Sequence, residues 1–297
     1  MSSLNSDGSS TTSADKVEAE VVSSSAKSLS VKEMEAVAKR LRRHIITMIG
    51  KAGSGHPGGS LSSVEIVTAL FFRVMRHKPS DICWTDRDRF ILSKGHAAPL
   101  LYATLAECGY LPVEELSTLR QFGSRLQGHA DRTCTPGVEM SAGALGQGLS
   151  FAIGVALAGR LNSQDYRVHV LLGDGECDEG QVWEAAMAAA HYKVDNLVAI
   201  VDNNGIQLDG WNYDIMNIEP FNKKWEAFGW RVIEVDGHDL SQLIDAFDRA
   251  KAIKKQPTVI IAHTVKGKGV SFMENNPDFH GKAPKADEVE IALKELE

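Results

Sequence analysis

Cysteine is scarce and unpatterned in this chain: Cys83, Cys108, Cys134 and Cys177 are the four in 297 residues, with no C-x-x-C spacing. That argues against a disulfide framework and a thiolate metal site, and it fits buried or free thiols in a reducing compartment. Long apolar runs are missing too. No stretch of 18 apolar residues occurs, so no membrane span is expected. The first 28 residues have no apolar core of the kind a secretory signal needs, and they carry Asp7, Asp15, Glu18 and Glu20, whereas organelle transit peptides are poor in acids. A cytoplasmic location is the expectation. Nor is there a dominant charge: 32 basic residues face 39 acidic ones, for a net charge of -7. Without a Lys/Arg stripe a nucleic-acid partner is not expected, and "KRLRRH" reads as the solvated face of a helix. No internal repeat is visible.

What is present is enough apolar sequence, 43%, for a sizeable core. Residues 1–28 are Ser/Thr-rich and lack aromatics, which predicts a disordered tail, and residues 29–297 read as one domain. Ser30 and Glu33 have capping-box spacing, followed by Val31, Met34, Val37, Ala38, Leu41, Ile45 and Met48 at helical intervals, with Gly50 as the expected stop. A glycine-rich loop, "KAGSGHPGGS", leads to a second helix, "VEIVTALFFRVM". Then "DRFILS" reads as a strand, "PLLYATLAECG" as a helix, and "SAGALGQGLSFAIGVALAGRL" as a helix of small residues. From Val168 the alternation is regular. Strands "VHVLL", "NLVAIV", "RVIEV" and "TVIIAHT" are separated by helices "EGQVWEAAMAAAHY", "NKKWEAFG" and "LSQLIDAFDRAKAI". Apolar strands alternating with helices predict an α/β fold, a doubly wound and mostly parallel sheet with helices on both faces.

Asp174 follows one of these strands and Asn204 the next. In a parallel sheet such strands lie about 4.8 Å apart with their carboxyl ends on one edge, where ligands of open sheets bind. If the two strands are neighbours, a carboxylate and an amide oxygen share one crevice. These are hard donors suited to Mg²⁺ or Ca²⁺, with phosphate and water completing the shell. Gly173 and Gly175 let backbone approach a phosphate. Turn formation alone would explain an isolated "GDG". The matching "DNN" on the next strand favours the clamp.

Four of the ten histidines sit beside glycine in loops: His56, His96, His129 and His280. An imidazole titrates near neutrality and both donates and accepts, which suits proton transfer at a site. His238 in "DGHD" reads as structural, with Asp239 as a helix N-cap.

These stretches resemble the transketolase family. "GDGE" with "VDNNGI" matches its thiamine-diphosphate signature, and "KAGSGHPGGS", "DRDRFILSKGHAAPLLY", "FGSRLQGHAD", "SAGALGQGLS" and "DFHGKAP" occur in the family's order over nearly all of residues 29–297. The resemblance implies the thiamine-diphosphate-binding fold and two cofactors, thiamine diphosphate and Mg²⁺, with Ca²⁺ or Mn²⁺ as alternatives. It implies Asp174, Asn204 and the main-chain carbonyl of Ile206 as metal ligands, with Gly173 and Gly175 beside the diphosphate. It implies His96 and His280 near the diphosphate, with His56 and His129 facing the substrate. His280 counts in the catalytic set as well. The division of the histidines into acid and base stays open. Gly143 and Leu145 would line the aminopyrimidine pocket, and Glu179 would be the acid at the contact linking paired active sites.

In complete transketolases the carboxylate beside the aminopyrimidine, and most arginines that grip the sugar phosphate, come from a second domain that this sequence lacks. The expectation is therefore the N-terminal subunit of a two-subunit transketolase, moving a two-carbon unit between sugar phosphates. It would be inactive without a C-terminal-half partner and would assemble as two copies with two partners. Pentose phosphate metabolism is the default setting, with the donor and acceptor sugars open. Three alternatives stand beside it. A deoxyxylulose-phosphate-synthase-like half typically has Leu where Pro57 follows the first "GH". A 2-oxo acid dehydrogenase component lacks the "SGHPG" loop. A silent cofactor-binding scaffold would tolerate eroded site residues, and none is eroded here.

Overall fold

The computed structural model describes residues 29–208 and 210–297; the Ser-rich segment expected to be disordered lies outside them. In chain order come α1 (Val31–Ala52), α2 (Pro57–Ser62), α3 (Val64–Ala69) with a π-helical turn to Val74, β1 (Arg89–Leu92), α4 (Ala98–Glu107) and α5 (Gln147–Leu161). Then follow β2 (Val168–Gly173), α6 (Gly180–His191), β3 (Leu197–Asn203), a small β4–β5 hairpin (Ile206–Gln207, Gly210–Trp211), α7 (Asn212–Ile215) and α8 (Phe221–Ala227). The chain closes with β6 (Arg231–Asp236), α9 (Leu240–Ala252), β7 (Thr258–His263) and α10 (Ala286–Glu295).

The main sheet runs β1-β2-β3-β7-β6, and every pair in it is parallel. Its inner strands β2, β3 and β7 are largely apolar on both sides because both sides are covered, while edge strand β6 alternates buried and exposed residues. Leu171, Ile200 and Ile260 face the layer of α1, α3, α4 and α9. Val170, Leu172, Ala199 and Ile261 face α5, α6 and α8. Each such aliphatic side chain stabilises by roughly 1.5–3 kcal/mol on burial. Neighbouring β2 and β3 are in register from Val168↔Leu197 to Gly173↔Asp202, so their carboxyl ends reach one edge together. Among the described residues, no helix is long and apolar enough to cross a membrane.

Two local readings change. The capping box is present, with Ser30 N donating to Glu33 Oε2 at 2.8 Å. The helix, however, passes through Gly50 and stops on Gly53, which is left-handed at φ 63°. Gly50 is small for another reason: a Cβ there would collide with Cγ2 of Val289 on α10. Likewise "HPGGS" is no loop but α2, with Pro57 at the first helical position, where its missing N–H costs nothing. "SAGALG" is the reverse case: residues 141–146 are a loop, and helix α5 starts only at Gln147.

Candidate active site

Asp174 leaves β2 and is 2% exposed. Its Oδ1 accepts from Gly175 N at 2.8 Å and its Oδ2 from Gly205 N at 2.5 Å, so the carboxylate itself ties the end of β2 to the turn after β3. Gly205 has φ 76°, a conformation that side-chain-bearing residues rarely adopt, and this aims its N–H at Asp174. In the same turn, Asn204 Oδ1 accepts from Ile206 N at 3.1 Å and Asn204 Nδ2 donates to Asp202 at 2.9 Å. The Ile206 carbonyl accepts from Lys266 Nζ at 2.9 Å. Burial, then the neighbouring Asp202 charge, push the Asp174 carboxyl up to about 6 against the pull of Gly205, Gly175 and Lys266.

Asp202 organises the surroundings. It is fully buried at the end of β3 and saturated: Oδ2 accepts from Ser62 Oγ at 2.6 Å, Lys94 Nζ at 2.6 Å and Asn204, while Oδ1 accepts from Thr264 Oγ1 at 2.5 Å. Burial works to raise its carboxyl, but Lys94 and the hydroxyl donors hold it below the usual carboxylate range. Lys94 also donates to the Gly59 carbonyl at 2.7 Å. The signal for this pair was available: an acid in an otherwise apolar strand, "LVAIVDN", needs a buried partner. Sequence reasoning missed Asp202, Lys94 and Lys266.

The four predicted histidines converge. Ring centroids of His56 lie 5.5 Å from His96, 6.0 Å from His129 and 5.6 Å from His280, and His96 is 5.1 Å from His280. The packing is close: a Cβ on Gly59 of α2 would stand 3.0 Å from His96 Nε2, so the ring would have to give way by a few tenths of an ångström. Burial, reinforced by Arg120, His129 and Lys266, lowers His56 to about 4. Burial, then Lys266, His56 and Lys94, lower His280 to about 3. His96 falls well below its ordinary value, and His129 falls too, chiefly by burial. The cluster is therefore neutral at pH 7. Lys266 donates to His280 Nδ1 at 3.0 Å, which leaves the ring proton on Nε2. Burial lowers Lys266 to about 8, against the attraction of Asp174 and Asp202.

Lys266 is itself clamped. Glu65 pairs with Arg42 at 2.6 and 2.8 Å and accepts from His238 Nδ1 at 2.9 Å. His238 Nε2 accepts from Val265 N at 2.8 Å, and Arg42 Nε donates to the Lys268 carbonyl at 3.0 Å, so both flanks of Lys266 are fixed. His238, read as structural, does this work from behind the site. Asp239 caps α9 as expected, accepting from Ser241 N and Gln242 N.

The remaining predicted residues lie around this centre. Gly173 is buried at the end of β2, and Gly175 starts the turn that Asp174 caps. Gly143 is exposed and Leu145 half-buried in the loop before α5. That loop is anchored by Glu176, which accepts from Gly146 N and Gly173 N, each at 2.9 Å, and from Ser93 Oγ. Glu179 is exposed at the start of α6, open to a neighbouring molecule.

A carboxylate, an amide oxygen and a main-chain carbonyl fit a hard divalent cation, and an ammonium already rests on the carbonyl. The described residues hold no group of three or more His, Cys, Asp or Glu side chains at metal-binding spacing. Such a cation would therefore need oxygens from a diphosphate and water.

Comparison with known proteins agrees with this geometry. Residues 33–296 match the family model described as transketolase, thiamine diphosphate binding domain. The chain is 46% identical over 269 residues to one of the subunits of the apulose-4-phosphate transketolase from Actinobacillus succinogenes, covering 90% of this chain and 97% of that one. It is 43% identical to 6-deoxy-6-sulfo-D-fructose transketolase subunit SqwG of a Clostridium species, over 89% and 96% of the two chains. In structure it is similar to the Campylobacter jejuni transketolase, with a TM-score of 0.86 and 33% identity. That match covers 90% of this chain but 43% of the other, so the chain spans under half the length of that solved enzyme. By sequence and by fold, the chain belongs to the transketolase family and carries its thiamine-diphosphate-binding domain.

Proposed function

We propose that the chain is the cofactor-binding subunit of a two-subunit transketolase, a transferase that moves a two-carbon ketol unit from a ketose phosphate to an aldose phosphate. The observation that carries this is the meeting of His56, His96, His129, His280 and Lys266 beside the Asp174–Asn204–Ile206 turn. Relatives matched over nearly their whole length are named as subunits, which supports a separate partner chain.

Asp174, Asn204 and the Ile206 carbonyl would hold Mg²⁺, and His96, His280 and Lys266, with Gly173 and Gly175, would surround the diphosphate. Gly143 and Leu145 would meet the aminopyrimidine. Bound thiamine diphosphate supplies the nucleophilic carbon that takes up the two-carbon unit. The protein's part is to present neutral imidazoles to the sugar. Kept unprotonated by burial, His56 and His129 can each accept a hydroxyl proton or donate a ring N–H as the substrate demands. Glu179, exposed at the start of α6, would meet the second copy in an assembly of two chains with two partners. The domain boundary at residue 29 and a cytoplasmic setting belong to this reading, the latter consistent with four free thiols. Pentose phosphate metabolism is the default role. The relatives' names, apulose-4-phosphate and 6-deoxy-6-sulfo-D-fructose transketolase, favour a specialised ketose as the second reading.

The test is reconstitution. The purified chain, thiamine diphosphate, Mg²⁺, a ketose phosphate and an aldose phosphate should give no turnover until a C-terminal-half partner is added. Turnover without that partner would overturn the proposal.

A further inference from the structure

Glu176 lies in the turn after β2 and is 3% exposed. Its Oε2 accepts from Gly173 N at 2.9 Å, at the end of the strand that leads into Asp174. Its Oε1 accepts from Gly146 N at 2.9 Å, where the loop 141–146 enters α5, and from Ser93 Oγ just past β1. The Ser93 hydroxyl, having given its proton to Glu176, accepts in turn from Gly148 N at 3.1 Å. One side chain thus joins its own turn to segments 83 and 30 residues away. Every group around its two oxygens is a donor, which suits a carboxylate and nothing else of that size. An amide would turn an N–H toward a backbone N–H in either orientation, and an apolar side chain would leave Gly146 N and Gly173 N without their acceptor.

The loop held in this way lies against the segment that ends in His96. A Cβ on Gly148 would collide with Ser93 Oγ, and one on Gly95 would stand 2.6 Å from the Ala142 carbonyl oxygen. The near end of the loop is fixed by Arg132 N on Ser141 Oγ at 3.0 Å and by Ala142 N on the Ala130 carbonyl at 3.3 Å. Its far end leans on Glu176 and Ser93, and Gly143 and Ala144 between the two ends are exposed. Asp174 does not depend on Glu176 in the same way, because Gly175 N and Gly205 N hold its carboxylate directly. Loss of Glu176 therefore frees the loop more than the diphosphate edge. A loop freed at one end has to be ordered by the ligand it touches, and that ordering is taken from the ligand's affinity.

We propose that Glu176 is a positioning residue: it holds the loop that meets the aminopyrimidine in register with the diphosphate edge, and so makes the chain prefer thiamine diphosphate to a bare diphosphate. This rests on the reading of Gly143 and Leu145 as the aminopyrimidine wall. The test compares two ligands on the full chain by calorimetric titration, thiamine diphosphate and inorganic pyrophosphate, each with Mg²⁺. Glu176→Met keeps the length of the side chain and removes the carboxylate. It should raise the dissociation constant for thiamine diphosphate at least about tenfold, as loss of one charged hydrogen bond predicts, and that for pyrophosphate by less than about threefold. Ser93→Ala, which removes contacts on the loop side alone, should move the ratio in the same direction and serves if Glu176→Met does not fold. In the ligand-free chain, hydrogen exchange should quicken at Gly146 N in Glu176→Met and at Gly148 N in Ser93→Ala, while Ile200 on β3 keeps its protection. Leu243→Ala, a cavity in the buried face of α9, lowers stability without touching the loop and should leave the ratio of the two affinities unchanged. A wild-type chain with no preference for thiamine diphosphate overturns the aminopyrimidine reading and this proposal with it. A wild-type preference that survives both substitutions, or that Leu243→Ala abolishes equally, overturns this proposal alone.

Discussion

The ammonium of Lys266 rests on the main-chain oxygen of Ile206 at 2.9 Å, so one basic side chain occupies a carbonyl expected to face a metal ion. A divalent cation arriving with a diphosphate would compete for that oxygen and free the lysine for phosphate. Lys266→Met should therefore weaken thiamine diphosphate binding in the presence of Mg²⁺ by about 10- to 100-fold, the equivalent of one charged hydrogen bond. Calorimetric titration checks this. Unchanged affinity would leave Lys266 a structural residue.

Asp174→Asn separates charge from shape. One of the two terminal atoms of an amide is a donor, so it cannot accept from both Gly175 N and Gly205 N as the carboxylate does. Cofactor binding that depends on Mg²⁺ should fall by about 3 kcal/mol or more, while circular dichroism stays native. Retained Mg²⁺ dependence would remove Asp174 from the metal site.

The clamp behind Lys266 predicts a pH signature in stability. Burial works to raise Glu65, but His238 and Arg42 outweigh it and hold its carboxyl at about 2, below its unfolded value near 4.5. A depressed acid stabilises above its unfolded pKa, and the contribution is lost as pH falls toward the folded one. The contribution is at most about 3 kcal/mol at pH 7. Glu65→Gln should be destabilised at pH 7, and its deficit against wild type should shrink between pH 5 and pH 2. Urea melts across that range measure it.

Gly50→Ala sets helix propensity against packing. Alanine would favour α1 by up to about 1 kcal/mol, yet its methyl meets Val289 Cγ2. The single variant should melt lower than wild type, and adding Val289→Ala should recover much of the loss, a positive coupling in a double-mutant cycle.

Much of this arrangement was legible in the sequence, because periodicity and strand-end chemistry are local properties. "VHVLL" and "LVAIV" are adjacent strands, Asp174 and Asn204 meet at one edge, and the four glycine-flanked histidines gather. The strand order was not legible, since β7 inserts between β3 and β6 through contacts far apart in sequence. "HPGGS" looked like a loop because two glycines oppose helix formation; a Cβ on Gly58 would stand 2.9 Å from the Phe279 carbonyl oxygen and one on Gly59 3.0 Å from His96 Nε2, which favours glycine at both positions. Lys94 and Lys266 were passed over because a lysine near a strand end or in a loop usually points into water. Only their pairing with Asp202 and with the Ile206 carbonyl sets them apart.

Asp202 carries a last consequence. With every oxygen engaged by Ser62, Lys94, Asn204 and Thr264, it pegs together segments from four parts of the chain without help from any ligand. A pocket whose walls are set in advance spares an incoming cofactor the entropy of ordering them. Capture should then be quick and largely rigid, and the conformational cost of assembling a working centre should fall on the encounter between subunits.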